Sequence, residues 1–144
     1  MKNDRLLVPV AEGDLLALGR ATYTFARLEW QVVWCMEKLT PGYVRQLGRK
    51  TAGNIADDFK KAVGVLTDPN LRAQLTPPAD DFKRLVGERN GILHGKPGTA
   101  SDGAQLLFRD GAAWTTTRLE DAADEFAGCE RVLNGIFYGA LGGP

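Results

Sequence analysis

The sequence predicts an all-α, up-and-down bundle of four to five helices with a small β-hairpin before the last helix. Three observations lead to this fold class. Apolar residues recur at three- and four-residue steps along several long segments. Pairs such as Pro41-Gly42 and Asp68-Pro69 separate those segments. The pair Asp110-Gly111 lies between two short apolar runs, as is typical of a hairpin turn. A length of 144 residues suits a single domain, 1–144, with its core between about 14 and 141.

The first helix is predicted from Asp14 to Leu39, with Asp14 as its N-cap. Its core stripe consists of Leu18, Phe25, Leu28, Val32, Cys35 and Leu39. A second apolar face contains Tyr23, Trp30, Val33 and Trp34. A helix that is apolar on two faces is buried within the domain or takes part in association, and a share of both is expected here.

The next segments are predicted to form two further helices. One extends from Asn54 to Leu66. The pair Asp68-Pro69 then opens a short turn that ends at Leu75, because proline suits the first position of a helix. A second such pair, Thr76-Pro77, begins the following helix, which Gly95 ends.

The region after this helix is predicted to be a loop, Lys96 to Ala104, and then a hairpin. The hairpin strands are Gln105–Arg109 and Ala113–Thr117. The spacing Thr117-x-x-Glu120 predicts a capping box at the start of the last helix. The core face of that helix comprises Leu119, Phe126, Cys129, Val132, Leu133, Ile136 and Phe137.

The composition excludes several functional classes. Lys and Arg number 18, as do Asp and Glu, so the zero net charge argues against a protein that coats nucleic acid non-specifically. A membrane span and a signal peptide are not expected, and a cytoplasmic location is predicted. Cys35 and Cys129 lie on apolar stripes outside any Cys-x-x-Cys pair, which predicts buried free thiols rather than a metal or redox site.

The segment whose side chains are best suited to catalysis is Arg89-Asn90-Gly91-Ile92-Leu93-His94-Gly95, which contains the only histidine. Asn90 and His94, four residues apart, lie nearly above one another on a helix. Arg89 and His94 are about 140° apart around the axis. Arg89 therefore projects from the apolar stripe and requires a partner, for which Glu29 is the candidate.

A purely structural interpretation of this segment is open. His94 would then satisfy free carbonyls at the helix end, and Arg89 would form a packed ion pair. The glycines favour function instead, because Gly91 and Gly95 would leave space beside His94 for a bound group. A mid-helix glycine costs about 1 kcal/mol relative to alanine, so Gly91 calls for a reason.

The spacing Arg89, polar Asn90, His94 resembles the motif of the HEPN family, small helical bundles of which many are ribonucleases. The first helix, with Phe25, Leu28 and Glu29, is similar to that family's phenylalanine-x-x-leucine-glutamate opening. The helix order matches too, whereas the hairpin is an insert that only some members have.

The resemblance implies a metal-independent endoribonuclease without cofactors, acting as a homodimer in bacterial defence or a toxin–antitoxin system. Its partners would be RNA and an antitoxin protein. His94 would act as general base or acid, Arg89 would stabilise charge on the phosphoryl oxygens, and Asn90 and Lys96 would position substrate. Products would carry 2′,3′-cyclic phosphates. The alternative is a non-catalytic HEPN-like module that binds a nucleotide or a protein.

Overall fold

Four helices and one three-stranded antiparallel sheet form the domain, and the computed structural model describes residues 1–143. The helices are α1 (Glu12–Leu39), α2 (Ala52–Gly64), α3 (Pro69–Leu93) and α4 (Thr116–Tyr138). The strands are β1 (Lys96–Thr99), β2 (Gln105–Arg109) and β3 (Ala112–Ala113). Short 3₁₀ turns, Asp4–Leu7 and Val44–Gln46, precede α1 and α2. The prediction of a mostly helical domain with a hairpin before its last helix is confirmed.

The N-termini of α1 and α2 lie two residues before their predicted positions. At α1 the N-cap is Ala11, and Asp14 lies within the first turn, where its carboxylate accepts a hydrogen bond from the Thr116 hydroxyl. Asp14 therefore joins α1 to α4 instead of capping. At α2 the Thr51 hydroxyl accepts from the Asn54 amide, and the Asn54 side chain accepts from the Thr51 amide. This reciprocal pair begins the helix at Ala52.

Helix α3 is continuous, so the predicted break at Thr76-Pro77 is wrong. The Asp68 carboxylate accepts hydrogen bonds from the amides of the first turn and starts the helix at Pro69. Two prolines lie inside the helix, and an internal proline costs about 3 kcal/mol or more. The apolar face nevertheless continues across them, with Leu75, Pro78, Ala79 and Phe82 all buried. Burial of this face offsets the lost backbone bonds.

The helix directions depart from the predicted up-and-down order. Contacts between α1 and α4 advance together along both helices, from Asp14–Thr116 through Arg27–Glu130 to Gln31–Asn134, so these helices are parallel. In a simple up-and-down bundle of four helices they would be antiparallel. The cause is the long connection 40–51, which returns along α1 before α2 begins.

The sheet is larger than the predicted hairpin. Lys96–Thr99, predicted as loop, forms β1 and pairs with β2 in the register Lys96↔Phe108 to Thr99↔Gln105. The turn at Asp110-Gly111 is confirmed, with φ values of 52° and 79°. Strand β3 ends at Ala113 because Trp114 is buried and Thr115 caps α4 by accepting from the Arg118 amide. The capping residue is therefore Thr115 and not Thr117.

The core lies between the helices and contains both cysteines. Phe25 packs edge-on against Phe126 at 5.2 Å and stacks near Phe82 at 6.0 Å between ring centroids. Cys35 and Cys129 are buried free thiols, as predicted. Burial raises the pKa of Cys35 to about 11 and that of Cys129 to about 12, so both thiols are protonated at neutral pH. No helix within residues 1–143 combines the length and apolar character needed to cross a membrane.

Candidate functional site

Arg89 extends from α3 into the groove between α3 and α1. Its guanidinium carbon lies 4.7 Å from the centre of the Phe25 ring, and its Nη2 lies 3.7 Å from Oε2 of Glu29. The side chains of Arg89 and Glu29 are 22% and 33% exposed, so the pair is partly open to solvent. A separation of 3.7 Å is longer than a charge-assisted hydrogen bond, which is about 2.7–2.9 Å. The buried Nε has no hydrogen-bond partner among the described residues.

The length of α2 explains why this groove is open. The ion pairs Lys83–Asp57 and Asp80–Lys60 set α2 antiparallel to α3. Continued along both helices, this register places Ala52, the first residue of α2, level with about residue 88 of α3. Arg89 therefore lies just past the end of α2, where no further turn of that helix covers the groove. A longer α2 would have closed the site.

Glu29 lies in an environment that disfavours its charged form. Burial raises the pKa of its carboxyl above the ordinary 4.5, and the positive charge of Arg89 opposes this shift without cancelling it. An ion pair with ideal geometry would lower the pKa of the carboxyl instead. The raised value agrees with the long distance between the two groups. Glu29 and Arg89 therefore do not form a close ion pair.

His94 occupies the C-terminal end of α3, where it is the C-cap residue and exposed. Its backbone amide donates to the Asn90 carbonyl at 2.9 Å. Among residues 1–143 the imidazole makes no hydrogen bond, so the carbonyl-capping role considered above is not observed. The partly buried Asn90 side chain makes none there either. Arg89 faces the groove while His94 is at the helix end, and a single chain does not bring the two into contact.

The residues that follow add positive charge near His94. Lys96 is exposed at the start of β1. Arg109, at the end of β2, extends over α3 so that its Cγ would lie 3.9 Å from a Cβ placed on Gly91. Arg109 was not among the site residues predicted from the sequence. Nothing in its local sequence indicates this position, because only the return of β2 onto β1 places it beside the end of α3.

Gly91 and Gly95 have a different role from the one predicted. A Cβ on Gly91 would lie 3.0 Å from the indole of Trp114, and one on Gly95 would lie 2.9 Å from the Cβ of Leu107. The space beside these glycines is therefore filled by the sheet and its connection to α4. The Trp114 Nε1 also donates to the Gly91 carbonyl at 3.0 Å. The glycines permit close packing, and they do not leave room for a bound group.

This role predicts opposite effects for two glycines of α3. A Cβ placed on Gly87 would have no neighbouring atom within 4 Å, whereas one on Gly91 would contact Trp114. Gly87→Ala should stabilise the protein by about 1 kcal/mol through helix propensity. Gly91→Ala gains the same propensity but strains the buried indole, at a cost of about 1–3 kcal/mol. We expect urea unfolding to show the Gly91 variant as the less stable of the two. Equal stabilisation by both would contradict this packing role.

Other features lie away from Arg89. A mostly apolar cavity of about 270 Å³ separates the N-terminal segment from the sheet, with Val10, Leu15 and Leu107 in its walls. None of Arg89, Asn90 and His94 lines it. Within residues 1–143, no three His, Cys, Asp or Glu side chains cluster in a way that could hold a metal ion.

Comparisons with known proteins leave the site to be interpreted from its own geometry. No family model matches the chain, no curated protein matches it, and no solved structure matches it. The resemblance of Arg89, Asn90 and His94 and of the first helix to HEPN proteins accordingly stays a prediction.

Proposed function

We propose that this protein is a metal-independent endoribonuclease of HEPN type that acts as a homodimer, with Arg89 and His94 as its principal residues. RNA is the proposed substrate. A role in bacterial defence or in a toxin–antitoxin system, with an antitoxin protein as partner, belongs to the same proposal. The proposal rests on the resemblance of the motif together with the state of Arg89.

The observation that carries the proposal is an arginine with unused donors at an open groove. Among the described residues the Arg89 guanidinium makes no hydrogen bond, and its nearest carboxylate is 3.7 Å away. A guanidinium prefers bidentate bonds to carboxylate or phosphate oxygens. Glu29 does not supply such bonds, and its carboxyl has a raised pKa. The exposed edge of Arg89 therefore has capacity for an anionic group.

The chemistry follows from these groups. His94 would take the proton from a ribose 2′-hydroxyl, or give one to the leaving 5′-oxygen, when the 2′-oxygen attacks the adjacent phosphorus. The P–O5′ bond breaks and a 2′,3′-cyclic phosphate forms. Arg89 would stabilise the charge that develops on the non-bridging oxygens. Asn90 and Lys96 would position the strand.

The arrangement of Arg89 and His94 requires the second protomer. The two side chains diverge by about 140° around α3, so one chain cannot place both on one phosphate. A two-fold axis would allow Arg89 of one protomer to act with His94 of the other. This is why dimerisation belongs to the proposed function.

The test is cleavage of a mixed-sequence RNA in EDTA. We expect fragments with 2′,3′-cyclic phosphate ends, and no cleavage of the same sequence made as DNA, which lacks the attacking 2′-hydroxyl. A substrate with one 2′-deoxy position should resist cleavage at that position only. Intact RNA after incubation, or fragments with 3′-hydroxyl ends, would contradict the proposal.

A second candidate is a non-catalytic module that binds a nucleotide or a partner protein through Arg89. The divergence of Arg89 and His94 within one chain favours it, since an anion-binding arginine needs no histidine. The two candidates differ in one outcome. A binding module retains RNA or nucleotide without changing it, whereas the enzyme releases cyclic-phosphate products.

A further inference from the structure

A row of exposed residues follows α1 on the side away from the core. We name it the α1 stripe, and its members alternate four- and three-residue steps: Leu16, Arg20, Tyr23, Arg27, Trp30 and Trp34. Its four apolar members are 57%, 67%, 48% and 39% exposed, in chain order. Val33, predicted on the same face, is buried and faces the core instead. Exposed aromatic residues in a continuous row are typical of an interaction surface.

The spacing of the α1 stripe is that of a helix seam. Alternation of four- and three-residue steps keeps side chains on one line, as at the a and d positions of a coiled coil. Trp30 and Trp34 pack edge to face at 5.9 Å and already form one aromatic surface. Arg27 has an ion pair with Glu130 at 3.4 Å but stays 61% exposed. The stripe is thus ordered before any partner binds.

We propose that the α1 stripe pairs with the α1 stripe of a second copy of this chain, in antiparallel orientation. The steps 4-3-4-3-4 are the same in both directions, so a two-fold axis level with residue 25 places every member opposite another. Leu16 then faces Trp34, Arg20 faces Trp30, and Tyr23 faces Arg27 of the second copy. Each of the six stripe residues of one copy therefore faces a stripe residue of the other copy.

The charges of the stripe select this partner and this direction. In the antiparallel pair each arginine faces an aromatic ring, and a cation over such a ring is attracted by it. A parallel pair in register would instead place Arg20 against Arg20 and Arg27 against Arg27, which repel. The sequence of the stripe is therefore complementary to itself only when one helix is reversed.

The pairing leaves the candidate site outside the interface between the two copies. Glu29 lies about 140° around α1 from the mean direction of the α1 stripe, so its side chain points away from the second copy. The α1 pairing is therefore argued independently of the ribonuclease proposal.

The length of the α1 stripe determines the affinity that we expect between the two copies. From Leu16 to Trp34 it extends about 27 Å, which corresponds to an interface at the small end of specific ones. We therefore expect a concentration-dependent dimer with a micromolar dissociation constant. The measurement is sedimentation equilibrium of the full chain from about 1 to 200 μM, a range that brackets such an affinity.

Two variants and one control test the surface. Trp30→Glu should be monomeric throughout, and Arg20→Glu should raise the dissociation constant about tenfold or more, because a carboxylate would face the ring of Trp30. Arg20 is exposed on the surface, so its replacement keeps the test valid if the Trp30 variant fails to fold. Val132→Glu is the matched control, since Val132 is 53% exposed on α4 and outside the stripe.

The outcomes separate this proposal from the ribonuclease. A monomeric wild type at the highest concentration, or equal affinity in the Arg20 variant and the control, would overturn the α1 pairing. A dimer that cleaves RNA and that the stripe variants leave intact would remove the α1 pairing and leave the enzyme. A dimer disrupted by the stripe variants but without RNA cleavage would leave the pairing and remove the enzyme.

Discussion

Replacing His94 with alanine should reduce RNA cleavage by about 100- to 10,000-fold, the range that general acid–base groups contribute. The fold should be unaffected, because the imidazole is exposed and makes no hydrogen bond within residues 1–143. Stability should therefore change by no more than about 0.5 kcal/mol, as at other surface positions. Single-turnover cleavage in EDTA, with urea unfolding of the same samples, measures both quantities.

Two further variants show whether the loss concerns proton transfer. His94→Lys introduces a positive charge but lacks a group that exchanges protons readily near neutral pH, so it should be as inactive as the alanine variant. Leu93→Ala, at the neighbouring exposed position, should remain active. Undiminished cleavage by the purified His94→Ala variant would show that the role assigned to His94 is wrong.

Replacing both Glu29 and Arg89 should restore the stability that the loss of Arg89 alone removes, without restoring RNA cleavage. Arg89→Met alone leaves a half-buried carboxyl without its cation, and we expect a loss of about 1–2 kcal/mol, reduced from the cost of a fully buried pair by the exposure of both groups. The double variant Glu29→Leu, Arg89→Met replaces both charges with apolar groups and should recover most of that stability. Both proteins should be inactive if Arg89 contacts the phosphate.

The dependence of stability on pH gives an independent check of this pair. The pKa of Glu29 is raised above 4.5 in the folded protein, so the folded state binds more protons than the unfolded state in the range just above 4.5. Glu29 therefore lowers the free energy of unfolding as pH rises through that range. Loss of the Arg89 charge should raise this pKa further and steepen the decline. The double variant Glu29→Leu, Arg89→Met should not show this decline in the free energy of unfolding. A double variant that is stable and still cleaves RNA would show that Arg89 serves packing alone.

The sequence determined the elements with strong local signals. Helix α1 is 28 residues long, and its buried residues recur at helical spacing from Ala17 to Met36. The Asp110-Gly111 turn was predicted correctly because positive φ at both positions restricts the residue types that fit. The burial of both cysteines followed from their places on apolar stripes. In each case the signal lies within a few residues of the feature it predicts.

Features that depend on distant contacts were predicted less well. The prolines of α3 indicated a break, but the buried face that continues across them depends on packing against other helices. The parallel direction of α1 and α4 depends on the return of residues 40–51 along α1, which no local pattern shows. Strand β1 was not predicted, because a segment that contains Gly and Pro has a low strand propensity. Its pairing with β2 is what makes it a strand.

The same division holds for the candidate site. The sequence alone indicated the candidate residues, because the chain has one histidine and places Arg89 on an apolar face with Glu29 as its candidate partner. Tertiary structure decided that α2 does not reach the level of Arg89 and that Trp114 fills the space beside Gly91. These outcomes depend on how helices and strands from distant parts of the chain pack, and a local sequence pattern does not encode that geometry.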